Sequence, residues 1–510
     1  MKQFKRLTVL LLVGMAITAR SQNPTERIVR DYPTDYWMDV VTEQPEGYEM
    51  DEQGNVTISS SEGLAWFASV VNGRNGQEAD DFVGKEVKLV SDIDMGAHLW
   101  EAIGGSQWSD SILDYQLKYF QGTFDGKGHE ISNVVGGDRG YFRKVDEWFH
   151  EKYHGLFGNL YNAEIKRLKL NDFVCLNRDD YRLQFGSIAC YSEQSVIDRC
   201  VSKGSIYEFY NGQYEGNREI YAGGLVYNNI NSTISNCVFV ADSCVSYEMG
   251  GIAHGNITTM ENHRAEISNC YFYGEMYDYP LNKSMHTSAG IVQYNSTELD
   301  IEQGSIVRNC YYYPTEPRGD MVGYRAAVAW WHRGKSVIEH CYYLAEHLAF
   351  YTGVVSEPDD WATVENTSAF YCTDEGCILE NPVEIDGEMV DDLNEALNRW
   401  VAVQQNPENY ENWCDDIWME QGGAPLLCSV YEATEENTEK SSFVAPNPVE
   451  NLLSIISDEM ASVAVYDATG RMMVKTTDKR IDMSTFKPGI YIVSIAFNDG
   501  RCHLEKVIKK

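Results

Sequence analysis

Positive charge is what this chain has least of. Its 510 residues carry 41 lysines and arginines against 77 aspartates and glutamates, a formal net charge of -36 at pH 7. Met1 to Ala19 is cationic through Lys2, Lys5 and Arg6, and Ala445 to Lys510 is nearly balanced, so Arg20 to Val444 holds about -40 by itself. A body this acidic excludes nucleic acid as a partner, because that binding depends on lysine and arginine releasing counterions from phosphate. It disfavours strongly acidic polysaccharides unless calcium bridges the like charges, and it helps keep an exported chain soluble. Long apolar runs are also missing. The strongest, Leu7 to Ala16, is ten residues long where a membrane-spanning helix needs about 20, so no integral membrane segment is expected in the mature chain.

That short run fits a secretory signal instead. Lys2, Lys5 and Arg6 precede it and the small residues Thr18 and Ala19 follow, which is the three-part form of an export signal. Residues 1–19 are expected to be a signal peptide used for Sec-dependent export to the periplasm, with a leader or cap over 20–58.

The opposite end carries a second address. Short β-branched and aromatic runs, Leu452 to Ile456, Val463 to Tyr466 and Ile490 to Ile495, are separated by Asp467-Ala468-Thr469-Gly470 and Asn498-Asp499-Gly500, which suit turns needing positive φ. A small β-sandwich is expected over 445–510. The phrases APNPVENLLSI, VAVYDATGRMM, IDMSTFKPGIYIVSI and KVIKK resemble the C-terminal sorting module of the type IX secretion system of Bacteroidota. The resemblance implies handling by the type IX machinery and a secreted or outer-membrane surface-attached product. An appended Ig-like domain without a sorting role is the alternative.

The middle is repetitive. Ile197/Cys200, Ile234/Cys237, Ile267/Cys270, Val307/Cys310 and Ile338/Cys341 each close a short apolar run, with cysteines 37, 33, 40 and 31 residues apart. Between them stand Gly223-Gly224-Leu225, Gly250-Gly251-Ile252 and Ala289-Gly290-Ile291, and asparagines 236, 269 and 309 occupy turn positions. A period of this size with two-residue strand patterning indicates stacked coils. The expected fold is all-β: a right-handed parallel β-helix solenoid over 59–350, each period read as two coils.

The lead-in Gly63 to Phe67, the corner Gly122-Thr123-Phe124-Asp125-Gly126 and the unit Gly155-Leu156-Phe157-Gly158 resemble GLUG repeats and pectate-lyase-like β-helices. That likeness specifies architecture and not activity, since the fold hosts lyases, hydrolases, adhesins and stalks.

Two-coil spacing puts the ladder cysteines roughly 9.6 Å apart, beyond bridging range, so Cys200, Cys237, Cys270, Cys310 and Cys341 are expected to be buried free thiols. The pairings Cys372 with Cys377 and Cys414 with Cys428 stay open. After the repeats, Val390 to Val403 has aliphatic residues at helical spacing and reads as part of a solenoid cap over 351–431, followed by a polar linker over 432–444.

Chemistry is thinner. His150-Glu151-Lys152-Tyr153-His154 matches the HExxH form, which binds zinc only when a helix brings both histidines to one face; a zinc peptidase and a fortuitous match in a loop are the two readings. The pairs Asp80/Asp81, Asp92/Asp94 and Asp179/Asp180 are candidates for sugar hydrolysis, though Asp92 and Asp94 flanking Ile93 also suit a solvated strand face. Tyr271-Phe272-Tyr273, Tyr311-Tyr312-Tyr313, Trp330-Trp331 and Tyr342-Tyr343 offer outward rings for stacking on sugars or peptides. The expectation is a non-catalytic adhesin or stalk binding a surface polysaccharide, host glycan or protein, with a carbohydrate-active enzyme as the alternative. No catalytic, metal or cofactor residue is assigned.

Overall fold

The computed structural model describes residues 33–510 apart from 110–113, 137–140, 145–149, 178–181, 209–218, 278–286, 299, 316–323, 346–352, 374–375, 415–423, 429–443, 446–448, 450, 456–459, 468–471, 488 and 498–501. The signal segment, most of the linker, Asp179/Asp180 and most of both sorting-module turns lie outside the described residues. The chain divides into two compact units, Met1–Thr434 and Glu435–Lys510.

In the first unit the chain passes through four sheets in a fixed order and then begins again. One circuit is Leu183–Gly186 in sheet 1, Ala189–Glu193 in sheet 2, Val196–Asp198 in sheet 3 and Val201–Glu208 in sheet 4. The next circuit opens at Ile220–Gly223, paired in parallel with Leu183–Gly186 so that Leu183 faces Ile220. Among the described residues, sheets 1 and 2 have seven strands each, sheet 3 eleven and sheet 4 twelve. The three-residue strands of sheet 3 turn only their middle residue inward. Ile165, Ile197, Ile234, Ile267, Val307 and Ile338 therefore form one fully buried column.

Each sequence period is thus one circuit, not two, which corrects the coil count. Asp198 is level with Ser235 and Val201 with Val238, so the cysteines between them stack on adjacent circuits. All five are free and buried. Adjacent strands stand about 4.8 Å apart, which is inside the Cα range for a bridge, so the spacing argument fails. Parallel side chains in register keep Cβ atoms at that same separation, wider than the roughly 3.8 Å a disulfide needs. Each thiol instead turns back to a carbonyl two residues earlier, Cys237 to Ser235 at 3.0 Å and Cys270 to Ser268 at 3.1 Å.

The turn from sheet 3 to sheet 4 explains the asparagines. Arg167, Arg199, Asn236, Asn269, Asn309, His340 and Asn366 all have φ between 47° and 55°, a left-handed conformation that asparagine tolerates best among residues with a side chain. Their amides also join across circuits: Asn269 Nδ2 donates to Asn236 Oδ1 and Asn309 Nδ2 to Asn269 Oδ1, both at 2.8 Å. The amides thus join from circuit to circuit, and Asn309 Oδ1, at the end of the column, is the oxygen without a partner among the described residues.

Both ends of the repeat differ from expectation. Gly63 to Phe67 is not a coil but part of helix α2 (Ser61–Asn72; α1 is Trp37–Val40). Ser60 Oγ caps it by accepting from Gly63 N at 3.0 Å, and Gly73 ends it at φ 67°. Its Leu64, Phe67, Ala68 and Val71 bury into the same core as the first strands. Tyr48–Met50 and Val56–Ile58, placed in the leader by sequence, already belong to sheet 3. At the far end Val355–Pro358, Thr363–Glu365 and Ser368–Thr373 carry the parallel sheets past residue 350.

Helix α3 spans Leu393–Ala402, capped by Asp392 accepting from Glu395 N at 2.8 Å. It starts three residues later than its periodicity suggests because Glu388–Asp392 pairs as a strand. Its Leu393, Leu397 and Trp400 pack along the outer face of sheet 4, against Tyr271, Tyr311 and Tyr342. Cys372 is bonded to Cys377 and Cys414 to Cys428.

The second unit has two antiparallel sheets of three and four strands. They share a core that includes Leu453, Ile455, Val463, Val465, Ile481, Val493 and Val507.

Candidate functional site

Sheets 1 and 2 meet at a tight corner, and the corner glycines set its shape. A Cβ on Gly223 would lie 1.7 Å from Val226 O and 2.7 Å from His254 N; on Gly250 it would lie 1.8 Å from Ala253 O. The outward direction from sheet 1 therefore runs into the backbone of sheet 2, which makes the outside of this corner concave. Only glycine, or alanine where Ala289 and Ala326 stand at the same register, leaves room.

Aromatic rings line this corner. Sheet 2 contributes Tyr191, Tyr227, His254, Tyr294 and Trp331, one from each of five successive circuits. Consecutive centroids lie 5.8, 4.6, 5.1 and 6.1 Å apart, with Tyr227 on His254 and Tyr294 on Trp331 stacked. Sheet 1 supplies the other wall with Tyr221, whose ring is 6.0 Å from His254. Arg333 lies over Trp331 at 4.0 Å and Arg182 over Tyr221 at 5.5 Å. Tyr221, Tyr294 and Trp331 are partly exposed.

Two carboxylates stand among the rings. Glu219 pairs with Arg182 at 2.9 Å and accepts from the Tyr221 hydroxyl at 3.1 Å. Glu248, level with Tyr221 on the next strand, accepts from His254 Nε2 and from the Tyr294 hydroxyl, both at 3.3 Å. Burial, with Glu219 and Glu248 adding to it, pushes the Tyr221 hydroxyl well above its ordinary value; burial and Glu248 do the same to Tyr294. Burial also lowers His254 despite its carboxylate neighbour, so its ring is neutral near pH 7 and Nε2–H donates to Glu248. The corner offers partly exposed aromatic rings, carboxylate acceptors and hydroxyls, which is chemistry for holding a ligand rich in C–H groups and donors.

The candidates named from sequence fare differently. His150–His154 is a strand, not a helix, so the zinc-peptidase reading is overturned: four residues along a strand separate the two histidines by roughly 13 Å, too far to share an ion. His154 is fully buried with Nε2 3.0 Å from the Trp100 carbonyl oxygen. Among the described residues no three His, Cys, Asp or Glu side chains gather as a metal site.

The aspartate pairs are engaged locally. Asp80 holds Lys85, Asp81 accepts from Gln121 at 2.6 Å, Asp92 accepts from Glu130 N at 3.0 Å and Asp94 from Asn133 Nδ2 at 2.9 Å. Asp125 of the Gly122 to Gly126 corner is buried and clasped by Arg167 and Lys127. In the tyrosine triplets Tyr271, Tyr311 and Tyr342 face outward but are fully buried in the cluster that includes α3, while Tyr273, stacked on Tyr313 at 5.4 Å, keeps partial exposure. Trp331 alone of the named aromatic clusters lies in the corner row.

Sequence reasoning missed Tyr191, Tyr221, Tyr227, Glu248, His254 and Tyr294. The signal was there: four or five residues beyond each corner position, Gly186, Gly223, Gly250, Ala289 or Ala326, the chain places one of the row. A second hollow of about 650 Å³, lined by Lys85, Gln121, Thr123, Asn162, Glu164 and Gln194 among others, is polar and lacks rings.

Neither a curated protein nor a solved structure matches this chain. Residues 444–510 match the family model described as a secretion system C-terminal sorting domain, so the chain ends in a type IX sorting tail, which marks it as secreted or displayed at the cell surface and as a client of that secretion machinery.

Proposed function

We propose that the chain is an exported right-handed parallel β-helix, of the GLUG-repeat kind found in Bacteroidota, that binds a glycan without turning it over. Right-handedness follows from the strong preference of parallel crossover connections. In this reading residues 1–19 direct Sec-dependent passage to the periplasm, 20–58 lead in, and 351–431 complete the repeat body. Residues 432–444 then form a linker, and the tail sends the body through the outer membrane.

The observation that carries the binding role is the row Tyr191, Tyr227, His254, Tyr294 and Trp331 lying in a concave corner. Four steps between strands extend it over roughly 19 Å, and its partly exposed members Tyr191, Tyr294 and Trp331, held over the buried pair Tyr227 and His254, are the ones a sugar chain would touch. The hydrolase alternative draws on Glu219 and Glu248, which sit on neighbouring strands two residues out of level, roughly 8 Å apart at Cα. Both already accept bonds from Arg182, Tyr221, His254 or Tyr294, which fits side chains that shape a wall.

A glycan array on the full chain, run beside a reducing-sugar assay on the bound glycans, separates the two. Binding that disappears in Tyr294→Ala/Trp331→Ala, with no sugar released, supports the binding role. Release of reducing ends that stops in Glu248→Gln transfers the assignment to a hydrolase.

A further inference from the structure

Glu248 is an anion enclosed by rings. Tyr221 stands level with it on the adjacent strand, His254 and Tyr294 donate to it, and Tyr247 lies 5.3 Å from Tyr221 centroid to centroid. Both donors fall on Oε2, and Oε1 accepts nothing from the described residues. The side chain is 18% exposed, enough to be reached from outside.

Among the described residues, the two arginines of this corner have other partners. Arg182 is committed to Glu219 at 2.9 Å, and Arg333 lies over Trp331. A carboxylate with an open oxygen and flanking π faces is the arrangement that holds an ammonium group, through charge and through the negative faces of the rings. The whole body adds to this, since its strongly negative field repels acidic ligands and draws cationic ones.

We infer that this corner selects an alkylammonium group at Glu248, and therefore that the bound glycan is an amine-bearing one, built from free amino sugars. The inference rests on the glycan-binding reading and names its substrate class. Along the row the rings hold sugar faces, while at Glu248 a primary amine donates to Oε1 and lies against Tyr221 and Tyr294. Acetylating that amine removes the charge and leaves the sugar ring.

The test compares, by titration calorimetry on the full chain, a glucosamine oligomer, the N-acetylglucosamine oligomer of equal length and a lysine-bearing peptide. About tenfold tighter binding of the free amine is expected, the size a single charge-assisted contact with rings supplies. The preference should shrink as salt is raised and fall towards one in Glu248→Gln and in Tyr221→Leu, with circular dichroism and melting checked for both. Equal affinity for the two oligomers, or a preference unchanged in a folded Glu248→Gln, overturns the inference while leaving a glycan-binding protein. Binding of neither oligomer overturns the glycan reading itself. Binding of the peptide alone overturns an amine-bearing glycan as the ligand.

Discussion

A thiol, a histidine and a glycine show how this chain uses side chains that elsewhere do chemistry. Among the described residues eight free cysteines, Cys175, Cys190, Cys200, Cys237, Cys244, Cys270, Cys310 and Cys341, are all buried, and burial pushes thiols such as Cys200 and Cys237 well above their ordinary range. Access and thiolate, the reactive form, are both scarce in the folded protein. These eight are therefore expected to resist alkylation in native protein, and non-reducing denaturant should release them as reactive thiols. Loss of those thiols in unfolded protein would mean that bridges form where the stack forbids them.

His154 makes a pH prediction. Burial lowers it from the ordinary 6.5 to about 4. The unfolded chain then takes up a proton between those values and the folded chain does not, so stability is full above pH 6.5 and falls as pH drops towards 4. The loss approaches about 3 kcal/mol for this group. Burial lowers His254, His332 and His340 as well, which steepens the same slope. Urea unfolding of wild type and His154→Gln at pH 7.5 and 5 should show a shallower pH dependence in the variant. Equal slopes would show that His154 is charged or exposed.

Elements are where the sequence is most and least informative. The columns of sheet 3 were legible because each short strand buries its middle residue, so Ile197, Ile234 and Ile267 announce one position apiece. The asparagine turns were legible for a local reason, their left-handed φ. Whether one period is one circuit or two was not legible, because spacing along the chain does not count the sheets that a circuit visits. The helix over Ser61–Asn72 went unassigned within the repeat region for a related reason: an apolar run of that length fits a strand pair or a buried helix equally, and only Ser60 and Gly73 mark its ends. The aromatic row escaped notice because its members are far apart in sequence and come together only when the circuits stack, with Tyr227 and His254 one position before the level shared by Tyr191, Tyr294 and Trp331.

That register is itself testable. Gly223→Ala places a methyl group against Val226 O and His254 N, neither of which is a side chain able to swing away. A destabilisation of roughly 1–3 kcal/mol is expected in urea unfolding, together with weaker glycan binding. A change under about 0.5 kcal/mol would show that the corner is wider than it looks and that the concavity does not depend on glycine.

At the scale of the whole molecule, acidity and export fit together. Many of the described lysines and arginines are spent on ion pairs along the outside of the stack: Lys166 with Glu164, Arg167 with Asp125, and Arg308 with Glu266. Little positive charge is left for an anionic partner, and the tail carries its own nearly balanced charge. The tail also has a core of its own, Leu453, Val465, Ile481 and Val493 among others, separate from the clusters of the first unit. A unit that buries its own apolar residues can fold and be removed by itself. Deleting Glu435–Lys510 should therefore leave a body that melts as it does in the full chain. Expressed in a bacterium with a working type IX system, the truncated chain should fail to reach the cell surface, measured by protease accessibility on intact cells. Surface display that persisted without the tail would detach the route of export from this module, and with it the reason for expecting an extracellular ligand at the aromatic corner.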